Sequence, residues 1–140
     1  MALIPLAFAL CPAALALGPL AAADPIGEPT PGPRYIDQVT WVRYDELPTL
    51  RVYPTGIGRQ VAGELGKTAA QTEQAWSEVL ALAPDARTPG MRSQFLCHWR
   101  FAEFAEPGKS SWDLEPWRPA VDEGAMLLAG CNPGGAEKGP

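Results

Sequence analysis

The chain has few of the residues from which metal sites and many active sites are built. Its 140 residues include one histidine and three cysteines, and they contain no HExxH, GxSxG or GxGxxG pattern. Zinc centres need several histidine, cysteine or carboxylate ligands, and His98 has no second histidine as a companion. The sequence therefore predicts neither a metal site nor a cofactor.

Positive charge is also scarce. The chain has 11 lysine and arginine residues against 16 aspartate and glutamate residues, for a net charge of -5, and its basic residues do not cluster. Binding to a nucleic acid rewards clustered lysine and arginine, so no nucleic-acid partner is expected. Mild negative charge mainly favours solubility.

The first 23 residues lack charge altogether. This leader is apolar, is interrupted by three prolines and ends in Ala21-Ala22-Ala23 before Asp24. Such a segment is typical of a secretory signal peptide cleaved after small residues, although the basic residues that usually begin one are missing. The alternative, a membrane-spanning helix, needs about 20 apolar residues without repeated helix breakers. We therefore predict an exported mature protein, secreted or envelope-associated, without a stable membrane span.

The remaining chain is long enough for one domain. Residues 24–34 contain four prolines and two glycines with little apolar mass, which predicts a stiff linker. The globular domain is expected over residues 35–133, and the polar, glycine-rich residues 134–140 are expected to form a disordered tail.

Two segments near the start of this domain predict an antiparallel β-hairpin. Residues 35–44 and 50–53 are rich in β-branched and aromatic side chains. Because a lone hairpin is marginally stable in water, one face must pack on helices. The candidates for that face are Val39, Trp41, Leu50 and Val52.

Two main helices follow the hairpin. Thr68 and Gln71 form a capping-box pattern, which predicts a helix that ends before Pro84. Thr88 and Pro89 open a second helix, expected to run to Ala105 and to be apolar around most of its circumference. Shorter helical segments are expected near residues 57–65 and 121–130. The fold class is therefore α+β, with the hairpin packed against two main helices.

Removal of the leader leaves two cysteines, Cys97 and Cys131. An even number in an exported chain favours a disulfide, worth about 3 to 4 kcal/mol in the chain-entropy model. A thiol nucleophile paired with His98 is disfavoured, because adjacent helical residues point about 100° apart. His98 itself lies on the apolar face, where it is either a hydrogen-bonded core imidazole or a functional histidine in a pocket.

The segment SWDLEPWRP places Asp113 and Glu115 between Trp112 and Trp117. Two carboxylates beside aromatic rings are what glycoside hydrolysis uses, one as acid and one as base or nucleophile. The architectural alternative has the tryptophans, Trp117 included, filling the core, while Glu115 pairs with a partly exposed Arg118. Under that alternative, a shallow binding groove would follow the exposed edge of the segment.

QFLCHW, SWDLEPWRP and the final CNPG together resemble a family of small exported actinobacterial proteins that is described only as a domain of unknown function. The resemblance covers residues 35–134. Members commonly carry asparagine where this chain has Asp113, and the family implies no activity.

We therefore expect an exported, non-catalytic binding or envelope-associated protein, with a cell-envelope component as its candidate partner and Trp112, Trp117 and Arg118 as candidate binding residues. The alternative is a small hydrolase that acts on glycan or another envelope polymer through His98, Asp113 and Glu115. Carboxylates that converge with His98 in an open cleft would favour the enzyme. A buried His98 and an ion-paired Glu115 would favour the binding protein.

Overall fold

The computed structural model describes residues 31–137, so the predicted signal peptide, most of the linker and the last three residues lie outside the described part of the chain. The described residues form an α+β domain with an antiparallel sheet in the order β1-β2-β3, as predicted for the fold class. In chain order its elements are β1 (Ile36–Tyr44), β2 (Leu47–Pro54), α1 (Gly56–Ala62), α2 (Ala69–Leu82), a short 3-10 turn (Pro84–Ala86), α3 (Pro89–Ala105), β3 (Trp112–Leu114) and α4 (Glu123–Leu128).

The predicted hairpin is confirmed, with a tighter turn than the sequence suggested. Asp45 and Glu46 form a two-residue connection, and both have positive φ angles, 47° and 65°. Positive φ at both central residues belongs to the turn type that matches the right-handed twist of paired strands. β2 therefore begins at Leu47, and β3 then adds a third strand to its other side.

The face of the hairpin that packs on the helices was predicted correctly except at Trp41. Leu50 and Val52 are fully buried, and Val39 packs against the core, but Trp41 is 39% exposed. β1 lies at the edge of the sheet, and helix α2 is hydrogen-bonded to the start of this strand. There the Glu78 carboxylate accepts hydrogen bonds from the backbone N–H groups of Tyr35 and Ile36, each at 2.8 Å.

The helices begin where the capping residues predicted. Thr68 and Gln71 form the complete capping box of α2, and the Thr88 hydroxyl accepts the Met91 N–H at the start of α3. The observed range of α3, Pro89–Ala105, is the predicted one. These termini depend on contacts within one turn, which explains why the local sequence is sufficient to predict them.

The core lies between the sheet and helices α2 and α3 and is rich in aromatic rings. Neighbouring rings in this group have centroids 5.3 to 6.2 Å apart, a separation typical of favourable aromatic pairs. Its members are Tyr35, Trp76, Phe95, Trp99 and Trp112. Gly58 in α1 permits close approach to Tyr35, since a Cβ at this position would lie 2.1 Å from the Tyr35 carbonyl oxygen.

Among residues 31–137, no helix combines the length and apolar character that crossing a membrane requires.

Candidate functional site

The SWDLEPWRP segment forms the third strand and the turn after it. β3 pairs with β2 so that Trp112 lies opposite Val52, and Asp113 lies opposite Arg51. Because side chains alternate between the faces of a strand, Trp112 and Leu114 enter the aromatic core and Asp113 points to the other face. Pairing with β2 thus decides which residues of this segment are structural.

Asp113 is buried and forms an ion pair with its cross-strand neighbour. Its Oδ1 atom lies 3.5 Å from Nε of Arg51. Burial raises the pKa of the Asp113 carboxyl to about 6, with a further contribution from the Glu137 carboxylate and opposition from the Arg51 guanidinium. The carboxyl group therefore titrates at higher pH than an ordinary aspartate.

His98 lies against the backbone of β3. Its Nε2 atom is 3.2 Å from the carbonyl oxygen of Asp113. Since a carbonyl oxygen only accepts hydrogen bonds, Nε2 carries the proton and donates. Burial lowers the pKa of the imidazole to about 4, so the ring is neutral at physiological pH. This is the hydrogen-bonded core histidine described as one of the two alternatives above.

Glu115 and Arg118 form an ion pair in which both side chains are fully buried. The expectation of a partly exposed Arg118 is wrong. Its guanidinium also donates to the carbonyl oxygens of Pro133, Gly135 and Ala136, at 3.0, 2.6 and 3.3 Å. The chain after the last helix therefore covers Arg118, a contact between distant residues that no local pattern indicates.

Gln94 binds the backbone of Glu115, a contact that the sequence analysis did not predict. Its side-chain amide donates to the Glu115 carbonyl oxygen and accepts from the Glu115 N–H, both at 2.9 Å. A side-chain amide can satisfy both backbone groups of one residue in this way, much as a neighbouring strand would. The buried glutamine in QFLCHW was the available signal.

The two tryptophans of the segment have different environments. Trp112 is fully buried, so it presents no surface to a ligand. Trp117 is only partly buried, and the Arg118 guanidinium carbon lies 4.5 Å from its ring centroid, within the range of a cation–π contact. The prediction that Trp117 fills the core is therefore wrong, because the segment turns away from the sheet after Glu115.

The predicted disulfide between Cys97 and Cys131 is present, with Cα atoms 5.5 Å apart. It links α3 to the turn that follows α4. The two cysteines and Met126 form a second small hydrophobic cluster, against which Phe101 and Val121 pack. Oxidised Cys97 cannot act as a nucleophile.

A surface groove that the sequence analysis did not anticipate runs along the outer side of α3. It has a volume of about 640 Å³, and we call it the α3 groove. Its larger apolar side chains are Leu65, Leu96, Phe101 and Phe104, its cationic side chains are Lys67, Arg92 and Arg100, and its acidic side chain is Glu73. Leu65, in the loop between α1 and α2, is 92% exposed, and Phe104 is half exposed.

The part of the chain that matches a known family is nearly the same as the folded domain. The family model described as "Protein of unknown function (DUF2599)" matches residues 36–134, from the first residue of β1 to the turn that Arg118 holds. The chain belongs to the DUF2599 family. This confirms the resemblance to a family of unknown function with actinobacterial members.

Related proteins of this family occur in mycobacteria. An uncharacterized protein of Mycobacterium tuberculosis is 54% identical over 112 residues, which cover 80% of this chain and 74% of the relative. An uncharacterized protein of Mycobacterium leprae is 43% identical over 103 residues, or 74% of this chain and 82% of the relative. No solved structure matches.

In this DUF2599 chain the cations of the α3 groove are incompletely neutralised. Arg92 pairs with Glu73 and Arg100 pairs with Glu123, whereas Lys67 donates to the carbonyl oxygens of Ala62 and Glu64 and its Nζ atom lies 5.6 Å from the ring centroid of Phe104. Burial lowers the pKa of Lys67, and the positive charge of Arg100 lowers it further. The three cations of the groove outnumber the one carboxylate that lines it, Glu73, on a chain whose net charge is negative.

Proposed function

We propose that this DUF2599 protein is an exported, non-catalytic binding protein of the cell envelope, and that the α3 groove holds one anionic amphiphile. The ligand class is a molecule with an alkyl or acyl chain and an anionic head group. The observation that carries the proposal is the presence, in one groove of a negatively charged chain, of exposed apolar side chains and three cations against a single carboxylate, Glu73.

The size and lining of the groove support a single bound molecule. Ligand sites usually measure about 300 to 1,000 Å³ and combine an apolar lining with a few polar groups that orient the ligand. The α3 groove lies in this range, at about 640 Å³. Leu65 and Phe104 can cover a hydrocarbon chain while Lys67 and Arg100 attract the head group. Binding of the hydrocarbon chain would also remove the exposed Leu65 side chain from water.

Burial of the candidate catalytic residues supports the proposal that the protein is not an enzyme. His98, Asp113 and Glu115 are each at most 5% exposed, and Arg51 and Arg118 neutralise the two carboxylates. General acid–base catalysis requires the proton-transfer group to reach the substrate. Groups held in this way serve the packing of β3 on α3.

The disulfide supports the exported part, because such bonds persist in oxidising compartments outside the cytosol. If export removes residues 1–23, N-terminal sequencing of protein recovered from culture medium or cell wall should begin at Asp24. Recovery of a membrane-held chain that still starts at Met1 would contradict this part of the proposal.

Two exposed leucines offer a matched test of the groove. Leu65 is 92% exposed within the groove and Leu128 is 91% exposed outside it, so replacing either should leave stability nearly unchanged. Titration of the mature protein with dansyl-undecanoic acid should give saturable fluorescence. Leu65→Asp should abolish most of that binding, and Leu128→Asp should bind as the wild type does.

The charge of the ligand is tested separately. Lys67→Gln and Arg100→Gln should each weaken binding of the fatty acid, whereas Arg43→Gln, at an exposed arginine outside the groove, should not. The uncharged dansyl-undecanol should bind more weakly than the acid to the wild type and respond little to either groove substitution. Equal binding of acid and alcohol would refute the anionic head group, and no saturable binding would refute the groove.

The competing function, hydrolysis of a glycan or another envelope polymer, is favoured by one observation, the pKa of about 6 at Asp113, which suits a general acid. Its test is a turnover assay on envelope glycans. Release of product by the wild type, together with a folded but inactive Asp113→Asn variant, would support the enzyme against the binding protein.

A further inference from the structure

A second, smaller pocket adjoins the α3 groove, between α3 and α4. Its volume is about 190 Å³, and we call it the α3–α4 pocket. It shares three lining residues with the α3 groove, and these are Leu96, Arg100 and Phe101. The two cavities therefore meet along one stretch of α3.

We infer that the α3–α4 pocket takes the end of the ligand's hydrocarbon chain, and that the Arg100–Glu123 ion pair covers this pocket until an anionic head group draws Arg100 away from Glu123. The inference rests on the proposed function of the α3 groove. It adds two properties to that function, which are selection for the length of the hydrocarbon chain and competition between Glu123 and the ligand for one cation.

The inner lining of the α3–α4 pocket suits the end of a hydrocarbon chain. Cys97 and Met126 are at most 5% exposed and pack with the partly buried Phe101 and Val121 in the second hydrophobic cluster. Cys97 belongs to the disulfide, so its sulfur carries no charge. Methionine adapts its shape to apolar partners. Each CH2 group that enters such a site from water strengthens binding by about fourfold.

The charged lining residues of this pocket, Arg100 and Glu123, are the two members of one ion pair. Their side chains are 45% and 77% exposed, whereas Cys97 and Met126 are buried. The pair therefore spans the solvent side of the pocket, from α3 to α4. While it is intact, a hydrocarbon chain in the α3 groove meets two charged side chains before it reaches the apolar lining.

Arg100 can exchange Glu123 for a ligand because it lines both cavities. Burial and then the positive charge of Arg100 lower the pKa of Lys67, so the two cations are close enough to attract the same anion. Glu123 lines the α3–α4 pocket and not the α3 groove. An exposed ion pair is worth at most about fivefold in an equilibrium constant, so a bound carboxylate can replace Glu123 as the partner of Arg100.

Selection for chain length is tested by displacing dansyl-undecanoic acid from the mature protein with octanoic or dodecanoic acid. The wild type should bind dodecanoic acid at least about tenfold more tightly, because its four additional CH2 groups reach the α3–α4 pocket. Val121→Trp, which fills this pocket, should bind octanoic acid as the wild type does but lose most of the preference. Leu128→Trp, at an exposed leucine of α4 outside the pocket, should keep the preference.

A second filling variant, Ser93→Trp, enters the same pocket from α3 and should also lose the preference. Far-UV circular dichroism checks that each variant is folded, and Ser93→Trp decides the outcome if Val121→Trp is not.

The exchange of partners by Arg100 is tested by a double-mutant cycle. Glu123→Gln should tighten binding of dodecanoic acid by about two- to fivefold, because Arg100 then has no competing carboxylate. The same change made together with Arg100→Gln should have almost no effect. Glu106→Gln removes a negative charge at an exposed residue outside both cavities and should bind as the wild type does.

The outcomes separate this inference from the proposed function. Absence of saturable binding of dansyl-undecanoic acid would refute the α3 groove, and the inference with it. Saturable binding with a chain-length preference that survives in the folded filling variants would overturn the role of the α3–α4 pocket alone. No gain from Glu123→Gln, or the same gain with and without Arg100, would overturn the exchange of partners while the groove stands.

Discussion

Replacing Glu115 with glutamine should destabilise the domain far more than the same change at Glu123. Both glutamates pair with an arginine, Arg118 and Arg100 respectively. The difference between them is burial, since the Glu115 pair is fully inaccessible to water, whereas the Glu123 pair lies at the surface. The two substitutions remove the same charge and keep the same side-chain shape.

The magnitude follows from what each substitution leaves behind. Glu115→Gln leaves the Arg118 guanidinium buried without a counter-charge, and breaking a buried pair in this way costs about 3 to 5 kcal/mol. The carbonyl oxygens of Pro133, Gly135 and Ala136 still accept from Arg118 but carry no net charge to compensate it. An exposed pair contributes only about 0 to 1 kcal/mol. Because small domains have a total stability of about 5 to 15 kcal/mol, the buried substitution removes a large share.

The assay is thermal and urea unfolding of both variants beside the wild type, with the disulfide intact. For a domain of this size about 1 kcal/mol shifts the midpoint by about 4 to 8 °C, so Glu115→Gln should lower it by at least about 12 °C. Glu123→Gln should lower it by less than about 8 °C. A Glu115→Gln variant as stable as Glu123→Gln would refute the assignment of a buried, tightly coupled pair.

Three further outcomes follow from the same structure. Reduction of the disulfide should lower the free energy of unfolding by about 3 to 4 kcal/mol, measured by urea titration with and without reductant. Trp112→Ala should cost about 3 to 5 kcal/mol, and Trp117→Ala, at a partly buried ring outside the core, should cost clearly less in the same assay. Between about pH 4 and pH 6 the contributions of Asp113 and His98 to stability should oppose each other. The raised pKa of the Asp113 carboxyl makes the folded state hold a proton that the unfolded state has lost, so its contribution falls as the pH rises. The lowered pKa of the His98 imidazole has the opposite sign, so its contribution rises. Urea titrations across this range should therefore show stability that rises more steeply with pH in Asp113→Asn, and less steeply in His98→Gln, than in the wild type.

The environment of SWDLEPWRP shows where sequence reasoning stops. The pairing of Glu115 with Arg118 was predicted correctly, because the two residues are three apart and oppositely charged. Their burial was not, because it depends on Gln94 in α3 and on the carbonyl groups after Cys131, which lie far away along the chain. The α3 groove was missed for the same reason, since the loop that carries Leu65 reaches α3 only in the folded chain.

The sequence by itself determined the α+β class, the hairpin, the ends of the two main helices and the pairing of Cys97 with Cys131. The hairpin and the helix ends rest on interactions within a few residues, so local chemistry is sufficient to predict them, whereas the cysteine pairing was predicted from the count of cysteines that follow the leader. Only the tertiary structure decided the exposure of Trp41 and the burial of Arg118. Burial is a property of the whole packed domain, because any side chain is hidden only when distant segments come to lie over it.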